Sequence, residues 1–148
     1  MLANYSKLIA LISATLPIAQ AGVVGLFDRA GILATHEEIV EWITTTDANI
    51  TYVGAPIDFT KRAAQDTMVV YCSSRTQNVC GGPCTVYNGN AACLNAPNTN
   101  CLRATTNVGF CDRAGCGGSC NQFSSCGTVL DDGFCATPGT KSINVPFT

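Results

Sequence analysis

The chain has 148 residues, of which 12% are charged, and its formal net charge at pH 7 is −2. Acidic and basic residues cancel after residue 62, so no basic surface is predicted there for nucleic acid or for an anionic membrane. Ten cysteines, all after residue 62, are the main departure from an ordinary composition. We therefore expect one small domain in which cysteine pairing supplies much of the stability.

The first 21 residues have the form of a secretory signal peptide. Lys7 precedes an apolar stretch from Leu8 to Ile18, and Ala19-Gln20-Ala21 fits an A-x-A cleavage site. This apolar stretch is well short of the roughly 20 residues that span a bilayer. The sequence therefore predicts a secreted, extracellular protein that begins at Gly22 and has no membrane segment in its mature form.

Residues 22–62 form an acidic segment without cysteine. It holds six acidic residues and the only His and Trp, whereas no Glu occurs after it. The segment ends at Lys61-Arg62, a dibasic pair of the kind that kexin-type secretory proteases cut. An ordinary solvated surface loop would also explain the pair. Its coincidence with the change in composition favours a propeptide that ends at Lys61-Arg62.

A single helix is predicted in the acidic segment, over about residues 36–45. Thr35 and Glu38 have the spacing of a capping box, in which each side chain serves the other's backbone N–H. Apolar side chains then recur at helical spacing, which gives the helix one apolar face: Ile39, Trp42 and Ile43. The β-branched run at 44–46 predicts the end of the helix.

A short strand is predicted after this helix, at 50–53, and it ends at Gly54. Asn49-Ile50-Thr51 is an N-glycosylation sequon, so Asn49 is a predicted glycan acceptor if it is exposed. Removal of the propeptide would also remove this glycan.

The ten cysteines fall into two successive sets of five. The first set is Cys72, Cys80, Cys84, Cys93 and Cys101, and the second is Cys111, Cys116, Cys120, Cys126 and Cys135. Each set follows an apolar run and contains a Cys-Gly-Gly-x-Cys core, at 80–84 and at 116–120. We predict one small unit used twice, over about 67–106 and 107–140, within a disulfide-rich domain of residues 63–148.

Secretion favours disulfides over free thiols, because the secretory pathway is oxidising. Ten cysteines then predict five disulfides. Since each set holds an odd number, at least one bridge must join the two sets, while the other pairings stay open. Each bridge typically contributes about 2–4 kcal/mol, which would replace part of a large apolar core.

The disulfide-rich domain is predicted to consist mainly of β-hairpins. Strand-like runs lie at 67–71, 85–87, 127–130 and 142–145. Asn88-Gly89 and Asp132-Gly133 follow two of these runs and are strong hairpin-turn signals. Residues 95–100, which include Pro97, are predicted to form a loop.

The sequence predicts no enzyme activity, no cofactor and no metal site. His36 and Glu37 lack the second His of a zinc-protease helix, and a chain with one His cannot form a His-based catalytic pair in the disulfide-rich domain. Asp131-Asp132 are consecutive and are predicted to be turn residues rather than a catalytic carboxylate pair. Zinc would require reduced thiolates and usually a different cysteine spacing.

One stretch indicates carbohydrate binding. Residues 120–128 resemble the carbohydrate-contacting segment of hevein-type chitin-binding domains, which also run from a Cys through an aromatic residue to Cys-Gly. Ser125 stands where that family places a stacking aromatic residue, so Phe123 and Phe134 are the predicted flat apolar faces. Tyr87 is the best equivalent in the first half.

The layout of the whole chain resembles the small secreted cysteine-rich proteins of mushroom-forming fungi. The resemblance rests on the signal peptide, the acidic segment ending at Lys61-Arg62, and the cysteine pattern. That pattern runs from Val70-Tyr71-Cys72-Ser73-Ser74-Arg75 through Cys80-Gly81-Gly82 to Cys116-Gly117-Gly118-Ser119-Cys120. It implies effector, developmental or defence roles and no catalytic residue.

We therefore expect a secreted, monomeric, non-enzymatic protein that acts by surface recognition, as an effector-like or signalling factor. Its partner would be a protein or a cell-wall glycan, and exposed aromatic and arginine side chains would make the contacts. The candidate contact residues are Arg75, Tyr87, Arg103 and Phe123. The alternative is a defence module that binds cell-wall polysaccharide such as chitin, or that is antimicrobial.

Overall fold

The computed structural model describes residues 32–57, Phe59 and residues 67–146. The predicted signal peptide with Ala21 and the predicted processing pair Lys61-Arg62 lie outside the described residues. Within them the chain forms one α-helix and seven β-strands. These are α1 (His36–Thr45), β1 (Asn49–Gly54), β2 (Thr67–Thr76), β3 (Val79–Gly89), β4 (Ala92–Ala104), β5 (Gly109–Cys111), β6 (Cys120–Gln122) and β7 (Cys135–Val145).

All seven strands belong to one sheet, in the order β1-β3-β2-β4-β7-β5-β6. Every neighbouring pair is antiparallel except β1 and β3, which are parallel. Consecutive strands pair as hairpins only at β2–β3 and β5–β6. The prediction of a small, β-dominated, disulfide-rich domain with one preceding helix is confirmed at this level.

Helix α1 begins and ends as predicted. The Glu38 N–H donates to Thr35 Oγ1 at 3.0 Å, and the Thr35 N–H donates to Glu38 Oε1 at 2.9 Å, which completes the capping box. At the other end the Thr46 N–H donates to the Trp42 carbonyl at 2.9 Å. Of the apolar face predicted from helical spacing, Ile39 and Trp42 are buried and Ile43 is partly buried.

Residues 68–72 of strand β2 are buried on both faces, and this divides the interior into two cores. Alternate residues of a strand point to opposite faces of the sheet. Met68 and Val70 therefore lie with α1 in one core, which we call the helix-side core. Val69 and Tyr71 lie in a second core on the opposite face, with side chains from β4 and β7. The run Met68-Val69-Val70-Tyr71-Cys72 is thus a strand with no solvent-exposed face.

Five disulfides join all ten cysteines. The pairs are Cys72–Cys84, Cys80–Cys101, Cys93–Cys116, Cys111–Cys120 and Cys126–Cys135. Cys93–Cys116 joins the two sets of five, as their odd number requires. The prediction of five bridges with at least one between the sets is confirmed.

The two cysteine sets share one structural element. In each, the first cysteine pairs with the last cysteine of the Cys-Gly-Gly-x-Cys core, across two adjacent antiparallel strands. The Cα–Cα distance is 4.0 Å both for Cys72–Cys84 and for Cys111–Cys120. The remaining bridges do not correspond between the two sets.

The predicted hairpin at Asn88-Gly89 is wrong. Both residues lie inside β3, and the following strand β4 pairs on the far side of β2. The Asn88 side chain is buried and donates to the Ala55 and Pro56 carbonyls at 3.3 and 3.1 Å. These long-range bonds outweigh the local turn preference of the Asn-Gly pair. The actual β2–β3 turn is at Gln77-Asn78, where Gln77 adopts φ +56°.

The turn signal at Asp132-Gly133 is correct. Asp132 and Gly133 both have positive φ, at 62° and 76°. They reverse the chain between Val129 and Cys135, which pair as an isolated antiparallel bridge.

The predicted loop at 95–100 is part of β4 instead. The register between β4 and β7 shifts between Asn95 and Thr99, and Asn98 has φ +61°. A β-bulge accommodates the loop-forming residues without ending the strand.

We expect the bridge between the two cysteine sets to contribute about 3 kcal/mol, because it closes a loop with a sequence separation of 23 residues. The double variant Cys93→Ser/Cys116→Ser should lower the free energy of unfolding by about that amount. Denaturant titration followed by circular dichroism measures the change. An intact mass showing four remaining bridges is the control for native pairing, and an unchanged unfolding midpoint would contradict the expectation.

Candidate functional site

Phe123 was predicted to be an exposed contact residue, and this is wrong. Its side chain is 0% exposed and lies in the second core, in a short 3-10 turn, Phe123–Ser125, that follows β6. Its N–H donates to the Val108 carbonyl at 2.8 Å. Asn107 holds this turn from two sides, because its side chain bonds both the Gln122 side chain and the Ser124 N–H, each at 2.9 Å. Phe123 anchors this segment and does not present a ring to a ligand.

Tyr87 is also a core residue rather than an exposed contact. It is 8% exposed, and its hydroxyl donates to the Asn90 carbonyl at 2.7 Å. Gly89 lies directly against the ring, since a Cβ there would be only 2.6 Å from the Tyr87 hydroxyl. The glycine of the Asn-Gly pair thus leaves room for the Tyr87 ring, which a larger residue would have to displace.

Arg103 connects the helix to the sheet. Its side chain is 12% exposed, and Nη2 lies 3.3 Å from Oε1 of Glu38. Burial lowers the pKa of the Arg103 guanidinium from its ordinary value, while the neighbouring Glu38 and Asp132 carboxylates act in the opposite direction. The main contacts of Arg103 are therefore within the fold.

Arg75 is exposed, as predicted. It lies beside the β2–β3 turn, and its Nε donates to the Gln77 carbonyl at 2.7 Å. The four candidate contact residues therefore do not form one exposed surface, because two of them are core residues and a third is largely enclosed.

Asn49 is the first residue of β1, which is an edge strand of the sheet. Both Asn49 and Thr51 of the sequon are exposed. The exposure that glycosylation requires is present, and the modification itself stays a prediction.

Residues 120–128, which the sequence predicts to contact carbohydrate, form one wall of a surface groove of about 570 Å³. We call this groove the neutral groove. Its lining residues are Phe110, Cys120, Asn121, Gln122, Ser125, Gly127, Thr128, Ala136, Thr137 and Pro138. Six of these ten come from residues 120–128. None carries a charge, and the groups offered to a ligand are amides, hydroxyls, backbone groups and one aromatic ring.

Two disulfides fix the shape of the neutral groove. Cys111–Cys120 holds β5 against β6, which places Phe110 directly opposite Asn121 in the register. Cys126–Cys135 ties the second part of the wall to β7, where the Ala136 N–H donates to the Thr128 carbonyl at 2.9 Å. The groove is therefore pre-formed, which reduces the entropy that a ligand must overcome on binding.

Phe110 is the ring that the sequence analysis missed. It is only half-buried, since it packs against the second core while still lining the groove. The signal available was its place in the apolar run before Cys111, which favours a buried strand position. Its exposure depends on β5 lying beside the short edge strand β6, which local sequence does not reveal.

A second groove of about 500 Å³ lies between the C-terminal end of α1 and the β2–β3 turn. It is lined by Trp42, by residues 45–48 and 79–82, by Ser74 and Thr76, and by Asp132. Two carboxylates, Asp47 and Asp132, make this groove acidic. It joins the acidic segment to the first Cys-Gly-Gly-x-Cys core.

All ten cysteine sulfur atoms are in disulfides, so none is available as a thiolate ligand. No group of three or more His, Cys, Asp or Glu side chains suited to a metal occurs among the residues described. No helix in the described ranges has both the length and the apolar character needed to cross a bilayer.

Comparison of the chain with protein-family models, with curated proteins and with solved structures gave no match.

Because Phe123 is a core residue, Phe123→Ala should lower the free energy of unfolding by about 3–5 kcal/mol. Arg75→Ala, which removes an exposed side chain, should change it by less than about 0.5 kcal/mol. Thermal and denaturant unfolding of both variants measure the difference. Equal stability of the two variants would show that the Phe123 ring is not buried as described.

Proposed function

We propose that this chain is a secreted, non-enzymatic recognition protein that binds a neutral cell-wall polysaccharide, such as chitin, in the neutral groove. The single observation that carries the proposal is that lining residues without any charge surround a half-buried aromatic ring. Polysaccharides of this kind present hydroxyl and amide groups together with apolar C–H faces. The amide and hydroxyl side chains of the groove can hydrogen-bond to the polar groups of the polysaccharide, and the Phe110 ring can pack against its C–H faces.

The lining also distinguishes between ligand classes. An acidic polymer, a nucleic acid or a phosphorylated ligand requires basic side chains, and the neutral groove has none. Most hydrolases that cut glycosidic bonds use a pair of carboxyl groups across the bond, and no Asp or Glu lines this groove. Binding without cleavage is therefore the activity that these side chains support best.

Extracellular action is supported by the five disulfides, which persist in an oxidising compartment. Together with the sequence layout, they support placing the chain among the small secreted cysteine-rich proteins of fungi. Each cysteine set contains an equivalent bridge, Cys72–Cys84 in the first and Cys111–Cys120 in the second, and the Cα–Cα distance is the same in both. This correspondence supports the proposal that one unit is used twice.

A second candidate is recognition of a protein, as an effector-like or signalling factor would require. It is favoured by large apolar side chains that remain exposed on β1, namely Tyr52 and Val53. Because β1 is an edge strand, its outer backbone groups are available for pairing with another strand.

The test of glycan binding is retention on insoluble chitin and on insoluble β-glucan. Phe110→Leu keeps apolar volume but removes the flat ring, and Asn121→Ala removes an exposed amide. Loss of one contact of this size should reduce retention about two- to tenfold. Arg75→Ala is the matched surface control and should bind like the wild type.

Failure of the wild-type protein to bind either polymer would overturn the glycan proposal, and so would retention that neither groove variant changes. Release of soluble sugar from the polymer over time would contradict the non-enzymatic part of the proposal alone.

A further inference from the structure

Helix α1 supplies the cover for one face of the sheet. Ile39 is 0% exposed, and the Trp42 ring lies 5.2 Å from the Phe134 ring, measured between centroids. Met68 and Val70 of β2 belong to the same helix-side core. Without α1 these apolar side chains would face water, which disfavours separation of the helix from the sheet.

Strand β1 also attaches the acidic segment to the sheet, because it pairs with β3. Residues 49–54 align in parallel with residues 83–88. Just beyond β1, the Ala55 N–H donates to the Asn88 carbonyl at 2.7 Å. The buried Asn88 amide in turn donates to two carbonyls of this segment, those of Ala55 and Pro56. Removing residues 49–56 would open the edge of β3 and leave the buried Asn88 amide without these acceptors, which is costly.

Two polar contacts hold the beginning of the segment. The Ala34 N–H donates to the Ala104 carbonyl at 2.9 Å, at the end of β4. The Arg103–Glu38 ion pair lies one residue earlier in β4. Residues 32–57 are thus attached at both ends and along the middle to strands of the disulfide-rich domain.

None of these contacts is covalent, because the first cysteine of the chain is Cys72. We propose that residues 32–57 remain bound to the disulfide-rich domain after a cut at Lys61-Arg62, so that processing gives a two-chain protein and not a released propeptide. The acidic segment is then the permanent partner of the surface formed by β3 and the helix-side core.

Two features of the mature protein follow. The Asn49 sequon lies in β1, so a glycan there stays with the mature protein instead of leaving with a propeptide. The second groove also persists, because residues 45–48 of the segment form one side of it.

The proposal is tested on the whole secreted protein. It is cut with a kexin-type protease at Lys61-Arg62, or in a variant with a specific protease sequence inserted after Arg62, until denaturing electrophoresis shows complete cleavage. Denaturing, non-reducing mass spectrometry should then show two separate chains. Gel filtration and native mass spectrometry of the same sample should show one species with the summed mass of both.

Variants of α1 test whether the described contacts hold the two chains together. In the cut protein, Trp42→Ala should weaken association about a hundredfold or more, and the milder Ile39→Val about two- to tenfold. Glu41→Ala, at an exposed position of the same helix, should leave association unchanged. Each variant is also examined before cleavage, to show that the intact chain folds.

Separation of the two wild-type chains after the cut, at micromolar concentration without denaturant, would overturn the proposal. Equal weakening by Trp42→Ala and Glu41→Ala would overturn the assignment of the contact surface. Glycan binding plays no part in these measurements, so they are independent of the neutral groove.

Discussion

Burial of residues 68–72 of β2 on both faces is the constraint on which the rest of the structure depends. A strand that is apolar on both sides needs two separate covers, and this domain has few large apolar side chains to provide them. One cover is α1, which comes from outside the cysteine-rich part of the chain and places Trp42 against Phe134. The other is built from β4, β7 and the segment around Phe123. The acidic segment therefore supplies part of the helix-side core, although its composition differs from that of the rest of the sequence.

Disulfides compensate for the small size of these cores. Cys72–Cys84 and Cys80–Cys101 lie within the helix-side core, where they link β2, β3 and β4 directly beneath α1. Cys93–Cys116 instead joins the two cysteine sets and ties the strand beside β2 to the loop that precedes β6. The five bridges close loops with sequence separations of 9 to 23 residues, and loss of any of them leaves more conformational freedom to the unfolded chain.

Local signals predicted the local structure well. The capping box located the start of α1 to the residue, because both of its hydrogen bonds lie within four consecutive residues. Asp132-Gly133 formed its predicted turn because the positive φ angles that the turn needs are a local preference of this residue pair. Asn88-Gly89 did not form the predicted turn, because Asn88 finds acceptors in Ala55 and Pro56, more than 30 positions earlier in the chain.

Features that depend on strand order could not be predicted, because no local sequence pattern contains the strand order. These features are the burial of Tyr87 and Phe123 and the pairing of the cysteines. The wall of the neutral groove at 120–128 was recognisable in the sequence. Phe110 joins it only through the pairing of β5 with β6, and residues 136–138 join it through β7, where the Ala136 N–H donates to the Thr128 carbonyl.

The same bridged strand pair serves different purposes in the two halves of the chain. Cys72–Cys84 lies near the centre of the sheet, with strands on either side and α1 above it, so its surroundings are filled by apolar side chains. Cys111–Cys120 joins the last two strands at the opposite edge, where β6 has no further neighbour in the sheet. The chain that follows Cys120 therefore turns inward only at Phe123, and the side chains on either side of that anchor stay at the surface. Position in the sheet, rather than the cysteine motif itself, explains why the Cys72–Cys84 bridge is enclosed in a core while the Cys111–Cys120 bridge lies beside an open groove.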